Sequence, residues 1–200
     1  MRLSAIKQTL SDIVELTTDD GSVFFIRLAF LATVDGTQLA AGAEFSEGQS
    51  EEILDAGLAF AAERKAEDYL ARSEQCRAGL EKKLLQKGHS KQAVKTALDF
   101  LEEKRLLDDL RFCSCWLRSH TMTKPQGRQR LLSELCSRGI KQADAKAAVD
   151  EFFTENDEVL LCKKALAKAV KNGKKDEKLI KYMMDSGFSY KMIKSVLEET

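Results

Sequence analysis

Residues 109–140 read DLRFCSCWLRSHTMTKPQGRQRLLSELCSRGI, a run that holds the only Trp and the only Pro of the chain and alternates aromatic residues with arginines. Phe112, Cys115, Trp116 and Ser119 recur at helical spacing, which predicts one helix with that face inward and Arg111 and Arg118 on its flanks. After Thr123 and Lys124, Pro125 suits the first turn of a second helix, where the missing N–H costs nothing, and Leu131, Leu132 and Leu135 mark its buried side. Gly139 after Arg138 marks the end of that helix, where a left-handed residue is needed and a cation suits the exposed carbonyls. A third amphipathic run carries Ala145, Ala148, Val149 and Phe152. The stretch therefore specifies a three-helix unit with a basic exterior.

The unit repeats on either side. Leu80, Leu84, Val94 and Leu98 stand 8 and 4 residues before and 6 and 10 after Gly88. Leu131, Leu135, Ala145 and Val149 keep the same offsets from Gly139, and Leu179, Met183, Ile193 and Leu197 keep them from Gly187. A period of 51 and then 48 residues belongs to helical arrays, in which each unit buries its apolar face against the next. Ser73, Ser90 and Ser189 suit N-caps within these units, and Asp108-Asp109 suits the start of the helix that follows. The third unit is the richest in lysine, with Lys163, Lys164, Lys168, Lys171, Lys174 and Lys175.

Before the repeats, residues 11–17 and 22–27 are β-branched or aromatic and flank Asp20-Gly21, the signature of a tight hairpin. Residues 28–39 are apolar but fit a strand or a short helix equally, and Ser50 followed by Glu-Glu-Ile-Leu predicts a helix running to about Arg64. The expected architecture is mainly α: three tandem three-helix repeats in an elongated curved array, preceded by a small N-terminal β-hairpin element. The expected division is 1–64 for hairpin plus helix, then repeats at 65–108, 109–153 and 154–200.

Formal net charge is zero over 200 residues, but residues 1–60 hold 3 Lys and Arg against 10 Asp and Glu, whereas residues 61–200 hold 29 against 22. Such asymmetry suits a basic surface that meets an acidic partner, although a merely solvated helical face explains it too. No apolar run approaches a membrane span and the N-terminus lacks a signal-peptide pattern, so the expectation is a cytoplasmic monomer without membrane contact. The five cysteines are odd in number and sit in apolar patterns, which favours free thiols.

Chemistry is hard to find. Cys113 and Cys115 would point some 200° apart on a helix and so could not share one tetrahedral ion, and no Cys-x-x-Cys pair exists. The glycines form no phosphate cradle. His89 occupies the position of Ile140 and Phe188 in the other repeats, which suits packing, and His120 lies one turn past Trp116. No acid, base and nucleophile assemble, so neither an enzyme nor a cofactor or metal is expected. What remains is a cationic face of Arg72, Arg77, Lys82, Lys83 and Lys87 in the first repeat and Arg111, Arg118, Arg128, Arg130 and Arg138 in the second. Arginine's planar fork suits carboxylates and phosphates alike.

The run Asp109 to Arg118 with Phe112 and Trp116, and the run Gly127 to Ile140 with Arg130, Glu134, Leu135, Arg138 and Gly139, resemble the RecX regulatory proteins. Ala66 to Ser73, with Tyr69, Leu70 and Arg72, and Leu84 to Gly88, with Lys87, resemble the same family in the repeat before. The resemblance implies a bacterial cytoplasmic protein that binds the RecA recombinase filament. It implies inhibition of RecA's ATPase, strand-exchange and coprotease activities, and so a part in recombination, DNA repair and the SOS response. The competing reading is a helical module acting directly on single- or double-stranded DNA, a contact expected to be weak.

Overall fold

The computed structural model describes residues 1–10 and 12–199. It is mainly helical, with a small antiparallel sheet at the N-terminus. The chain forms two compact units, one from Met1 to Leu107 and one beginning at Asp108.

In the first unit β1 (Leu3–Leu10), β2 (Ile13–Thr18) and β3 (Val23–Arg27) lie in the order β1-β2-β3. The hairpin turns where Asp20-Gly21 predicts it, with Gly21 at φ 83°, and pairs Ile13 with Arg27 and Thr17 with Val23. Ser11, the expected start of the first strand, lies outside the described residues. Strand β1 is an addition to the sequence reading. Six of its eight residues are exposed, so it lacks the alternation by which a half-buried strand is recognised. The ambiguous residues 28–39 make two short 3-10 turns, Leu28–Phe30 and Gly36–Gln38.

Helix α1 spans Glu47–Leu70, starting four residues before and ending six after the expected bounds. Its N-cap is Ser46, not Ser50: the Ser46 hydroxyl accepts from Gln49 N–H while the Gln49 side chain accepts from Ser46 N–H, a reciprocal box that satisfies two otherwise orphaned donors. Ser50 instead accepts from the Met1 amino group at 3.0 Å. Gly57 allows α1 to lie on the sheet, since a Cβ there would stand 2.9 Å from the Phe24 ring. Ile53 and Ala56 close the core over Leu3, Leu16 and Ile26.

The same helix then enters the first repeat. Glu63, fully buried, binds the Arg27 guanidinium through both carboxylate oxygens, and Asp12 binds it from the other side. Arg27 also lies 4.5 Å from the centre of the Phe100 ring, so the sheet, α1 and the third helix meet at one charged contact. Burial raises the Glu63 carboxyl above its ordinary range despite the pairing with Arg27. The expected break at 64 thus falls inside a continuous helix that both neighbours share.

The first repeat is completed by α2 (Arg77–Gln86) and α3 (Lys91–Glu103). The second unit holds α4 (Asp109–Thr123), α5 (Arg128–Ser137) and α6 (Gln142–Glu155), then α7 (Glu158–Lys171), α8 (Asp176–Asp185) and α9 (Tyr190–Glu198). The three marker glycines have φ of 90°, 88° and 89°. Each lies in the same turn: the next residue's N–H (His89, Ile140, Phe188) reaches back 3.3 Å to the carbonyl of Leu84, Leu135 or Met183. The glycine N–H itself binds the carbonyl of Leu85, Cys136 or Met184. This paired closure satisfies carbonyls that a helix end would leave bare, and it requires a residue that tolerates the left-handed region. Eleven of the twelve repeat positions are buried; at the twelfth, Leu197 is 38% exposed and Val196 packs inward instead.

Three local expectations differ from the structure. The buried line of α4 is Cys113, Leu117 and Thr121, while Phe112 and Trp116 are half-buried beside it and Cys115 and Ser119 are exposed. Thr121 can line a core because its hydroxyl donates to the Leu117 carbonyl at 2.7 Å, and an apolar count overlooks it. Pro125 lies in the loop, since α5 begins only after Gly127. Ser73 does not cap α2, whose N-cap is Cys76; its hydroxyl accepts from the Gln75 side chain at 2.7 Å. Ser90, Ser189 and Asp108 cap α3, α9 and α4 as expected. Among the described residues no helix is long and apolar enough to cross a membrane.

Candidate functional site

The glycine register that fixes the core also places the polar residues. Eleven residues before Gly88 and Gly139 stand Arg77 and Arg128, and eleven after stand Asp99 and Asp150. Arg77 binds Asp99 at 2.6 Å and also Glu102; Arg128 binds Asp150 at 2.8 Å and Glu158 at 3.0 Å. In both repeats the pair ties the start of the middle helix to the last helix. Arg128 also lies 4.5 Å from the centre of the Phe153 ring, the register position that Glu102 holds in the first repeat. Both arginines are therefore consumed by intramolecular carboxylates, Arg77 within its own repeat and Arg128 also by Glu158 of the third.

Several of the other predicted cations are also engaged. Lys83 donates to Gln75 at 2.6 Å and lies 5.1 Å from the Tyr69 ring centre. Arg130 donates to Glu134 at 3.1 Å. Arg138 donates to the Glu134 carbonyl at 2.7 Å and lies 4.3 Å from the Trp116 ring centre. Arg118 is mostly exposed, with Glu155 at 3.8 Å. Arg111 is exposed. Arg72, Lys82 and Lys87 are exposed and make no ion pair with any described residue.

Around Glu134 the contacts form a closed cluster. Trp116 stacks on His120 with ring centres 4.2 Å apart, and His120 Nε2 donates to Gln126 Oε1 at 2.8 Å. Gln126 in turn donates to Glu134 at 3.2 Å. Burial works against ionisation of Glu134, but Gln126, His120 and Arg130 outweigh it and hold the carboxyl below its ordinary range. The aromatic and arginine residues that stand out in the sequence here build a local lock.

A second group of cations lies elsewhere in the second unit, and among the described residues Lys124, Lys168 and Lys174 in it form no ion pair. Gly127, the N-cap of α5, donates its N–H to the Ser186 carbonyl at 2.9 Å. A Cβ on Gly127 would fall 2.3 Å from the Gly187 carbonyl oxygen, and one on Gly187 would fall 2.4 Å from Arg130 N. Backbone thus meets backbone where the second and third repeats join. Beside this seam a cleft of about 370 Å³ is lined by Lys124, Pro125, Gln126, Arg130, Lys168, Tyr182, Asp185 and Ser186. Lys168 donates to the Thr123 carbonyl at 2.8 Å, and Lys174 stands 4.7 Å from the Tyr182 ring centre. Of these cations only Arg130 stands out in the sequence as part of the basic face. Lys168 and Lys174 sit in a lysine-rich stretch that gives no sign of which lysines converge, and Lys124 is a lone lysine in the loop before α5.

Comparison with known proteins agrees with this architecture. A family model for the second three-helix domain of RecX matches residues 108–149. Regulatory protein RecX of Treponema pallidum (strain Nichols) is 36% identical over 138 residues, covering 69% of this chain and 84% of that one. The Prosthecochloris aestuarii protein of the same name is 31% identical over 140 residues, covering 68% and 90%. A crystal structure of a regulatory protein RecX superposes with a TM-score of 0.76 at 22% identity, over 98% of both chains. That of RecX from Lactobacillus salivarius gives 0.60 at 20% identity, over 71% of this chain and 96% of the other. A glycine-marked three-helix repeat, the run from Asp109 to Ile140 and relatives matched over most of their length have one common origin: this chain belongs to the RecX family of regulatory proteins.

Proposed function

We propose that this protein regulates the RecA recombinase by binding its filament and inhibiting ATP hydrolysis, strand exchange and coprotease activity, without making or breaking a bond itself. The observation that carries the reading is family membership, established on relatives matched over more than four-fifths of their length. The repeat supports it physically. Successive units share one apolar frame and expose a face each, and weak contacts to successive subunits of a polymer add through effective concentration. The division into an N-terminal element and three repeats belongs to this proposal, as does a cytoplasmic location beside RecA.

Within the basic face, Arg72, Lys82 and Lys87 are the first candidates for partner contact, because they are exposed and pair with no carboxylate among the described residues. The test is RecA-driven ATP hydrolysis and strand exchange on single-stranded DNA with the purified protein at stoichiometric excess. Inhibition is expected, weakened by replacing Arg72, Lys82 and Lys87 together with Ala while melting stays unchanged. Unaltered RecA activity with the parent protein would overturn the reading. Steeply salt-dependent binding to naked DNA without RecA would favour the direct DNA-binding alternative.

A further inference from the structure

We propose that the cleft at the seam of the second and third repeats is a phosphate-binding site, formed chiefly by Lys124, Lys168 and Arg130. Its lining carries three cations against one carboxylate, Asp185. Arg130 is partly neutralised by Glu134, but neither Lys124 nor Lys168 has a carboxylate within ion-pair reach among the described residues. The arginines of the first and second repeats present the opposite case, with Arg77 and Arg128 each satisfied by two acids. Positive charge left uncompensated beside a concave surface focuses its field on whatever enters.

The chemistry favours phosphate over an extended apolar ligand. Lysine acts on phosphate as a compact point charge, and two lysines with a partly occupied arginine match an anion whose charge is spread over several oxygens. Lys168 is held in place by the Thr123 carbonyl, so part of the ordering cost is met before a ligand arrives. The Gln126 and Tyr182 side chains add polar and aromatic surface at the same wall. The cleft exists because Gly127 and Gly187 let two backbones touch, so the site depends on both repeats and on neither alone. Two sources carry such a group: a free phosphorylated compound, or the backbone of a nucleic acid strand.

The test uses the full-length protein in titration calorimetry, with sodium pyrophosphate as one probe and a short oligothymidylate as the other. The variants are K124Q/K168Q, K124Q alone, and K164Q/K171Q as a control that removes the same charge from exposed positions of α7 outside the cleft lining. Lys124 is exposed and its side chain makes no hydrogen bond or ion pair with a described residue, so K124Q tests the site without disturbing the fold. The double variant should weaken binding by about tenfold and K124Q by a smaller factor, while the control stays within about twofold of the parent. Pyrophosphate binding alone identifies free phosphorylated compounds as the source, and oligothymidylate binding alone identifies strand phosphates. Binding of both supports the shared chemistry. If neither probe binds, or if the control loses as much affinity as the double variant, the proposal falls. RecA is absent throughout, so failure here leaves the regulator reading untouched.

Discussion

At nineteen, thirteen and five residues before its glycine, the first repeat carries Tyr69, Gln75 and Lys83, and the second carries His120, Gln126 and Glu134. Both triads close the same corner, where the loop before the middle helix meets that helix. In the first, Lys83 donates to the Gln75 oxygen; in the second, the Gln126 nitrogen donates to Glu134 while its oxygen accepts from His120. The charge at the last position reverses sign, yet the corner survives, because a carboxamide offers a donor at one end and an acceptor at the other. The repeat thus holds its apolar frame fixed and lets its polar surface drift wherever an amphoteric neighbour absorbs the change.

The strongest test of that comparison lies at the marker glycines. Gly88 and Gly187 share the left-handed conformation, but a Cβ on Gly88 meets nothing within 4 Å and one on Gly187 strikes Arg130. Gly88→Ala is expected to cost about 1–2 kcal/mol, the strain of the backbone alone. Gly187→Ala should cost about 3–5 kcal/mol, because overpacking at the seam adds to that strain. Denaturant unfolding measures both, and equal costs would show that the seam has no rigidity to lose.

Next in size is the corner itself. Gln126→Glu sets a second carboxylate against Glu134 and is expected to cost about 1–2 kcal/mol. Gln75→Glu instead gives Lys83 an ion-pair partner and should leave stability within about 0.5 kcal/mol of the parent. The same response to both substitutions would break the account of a shared corner with reversed charge.

Smaller still are the ion pairs of Arg77 with Asp99 and Arg128 with Asp150. Double-mutant cycles to Ala should return similar couplings of about 0.5–1 kcal/mol in the two repeats, since the carboxylate partners are about half exposed. The least effect is expected outside the repeats, at Glu52. The Thr33 hydroxyl, then the N–H groups of Thr33, Val34 and Ala32, hold its carboxyl down at about 2. A depressed folded value means that this contribution is complete above the ordinary carboxylate range and is lost as pH falls from about 4.5 toward 2. Melting temperature against pH should therefore fall less steeply across that window in Glu52→Gln than in the parent.

Much of the repeat was open to reading because its cause is local. A left-handed residue at a helix end has to be glycine or pay in strain, and leucines one turn apart have to share a face, so twelve apolar positions and three glycines were found by counting. The same register run over polar positions would have found Arg77 with Asp99 and Arg128 with Asp150. Other features left a weaker trace. Ser46-x-x-Gln49 is a legible capping box that Ser50 overshadowed, and β1 carries no pattern because most of it faces water.

The amino-acid sequence by itself determined the helical repeat, its turns and the core positions in register with its glycines, since each follows from interactions within a few residues along the chain. Only the tertiary structure decided which cations are consumed internally and which remain available. Arg128 meets Glu158 thirty residues away, Lys168 meets Thr123 across forty-five, and Gly127 touches Gly187 across sixty. Charge is long-ranged and indifferent to order along the chain, so the fate of a basic residue is settled by the neighbour that folding delivers to it.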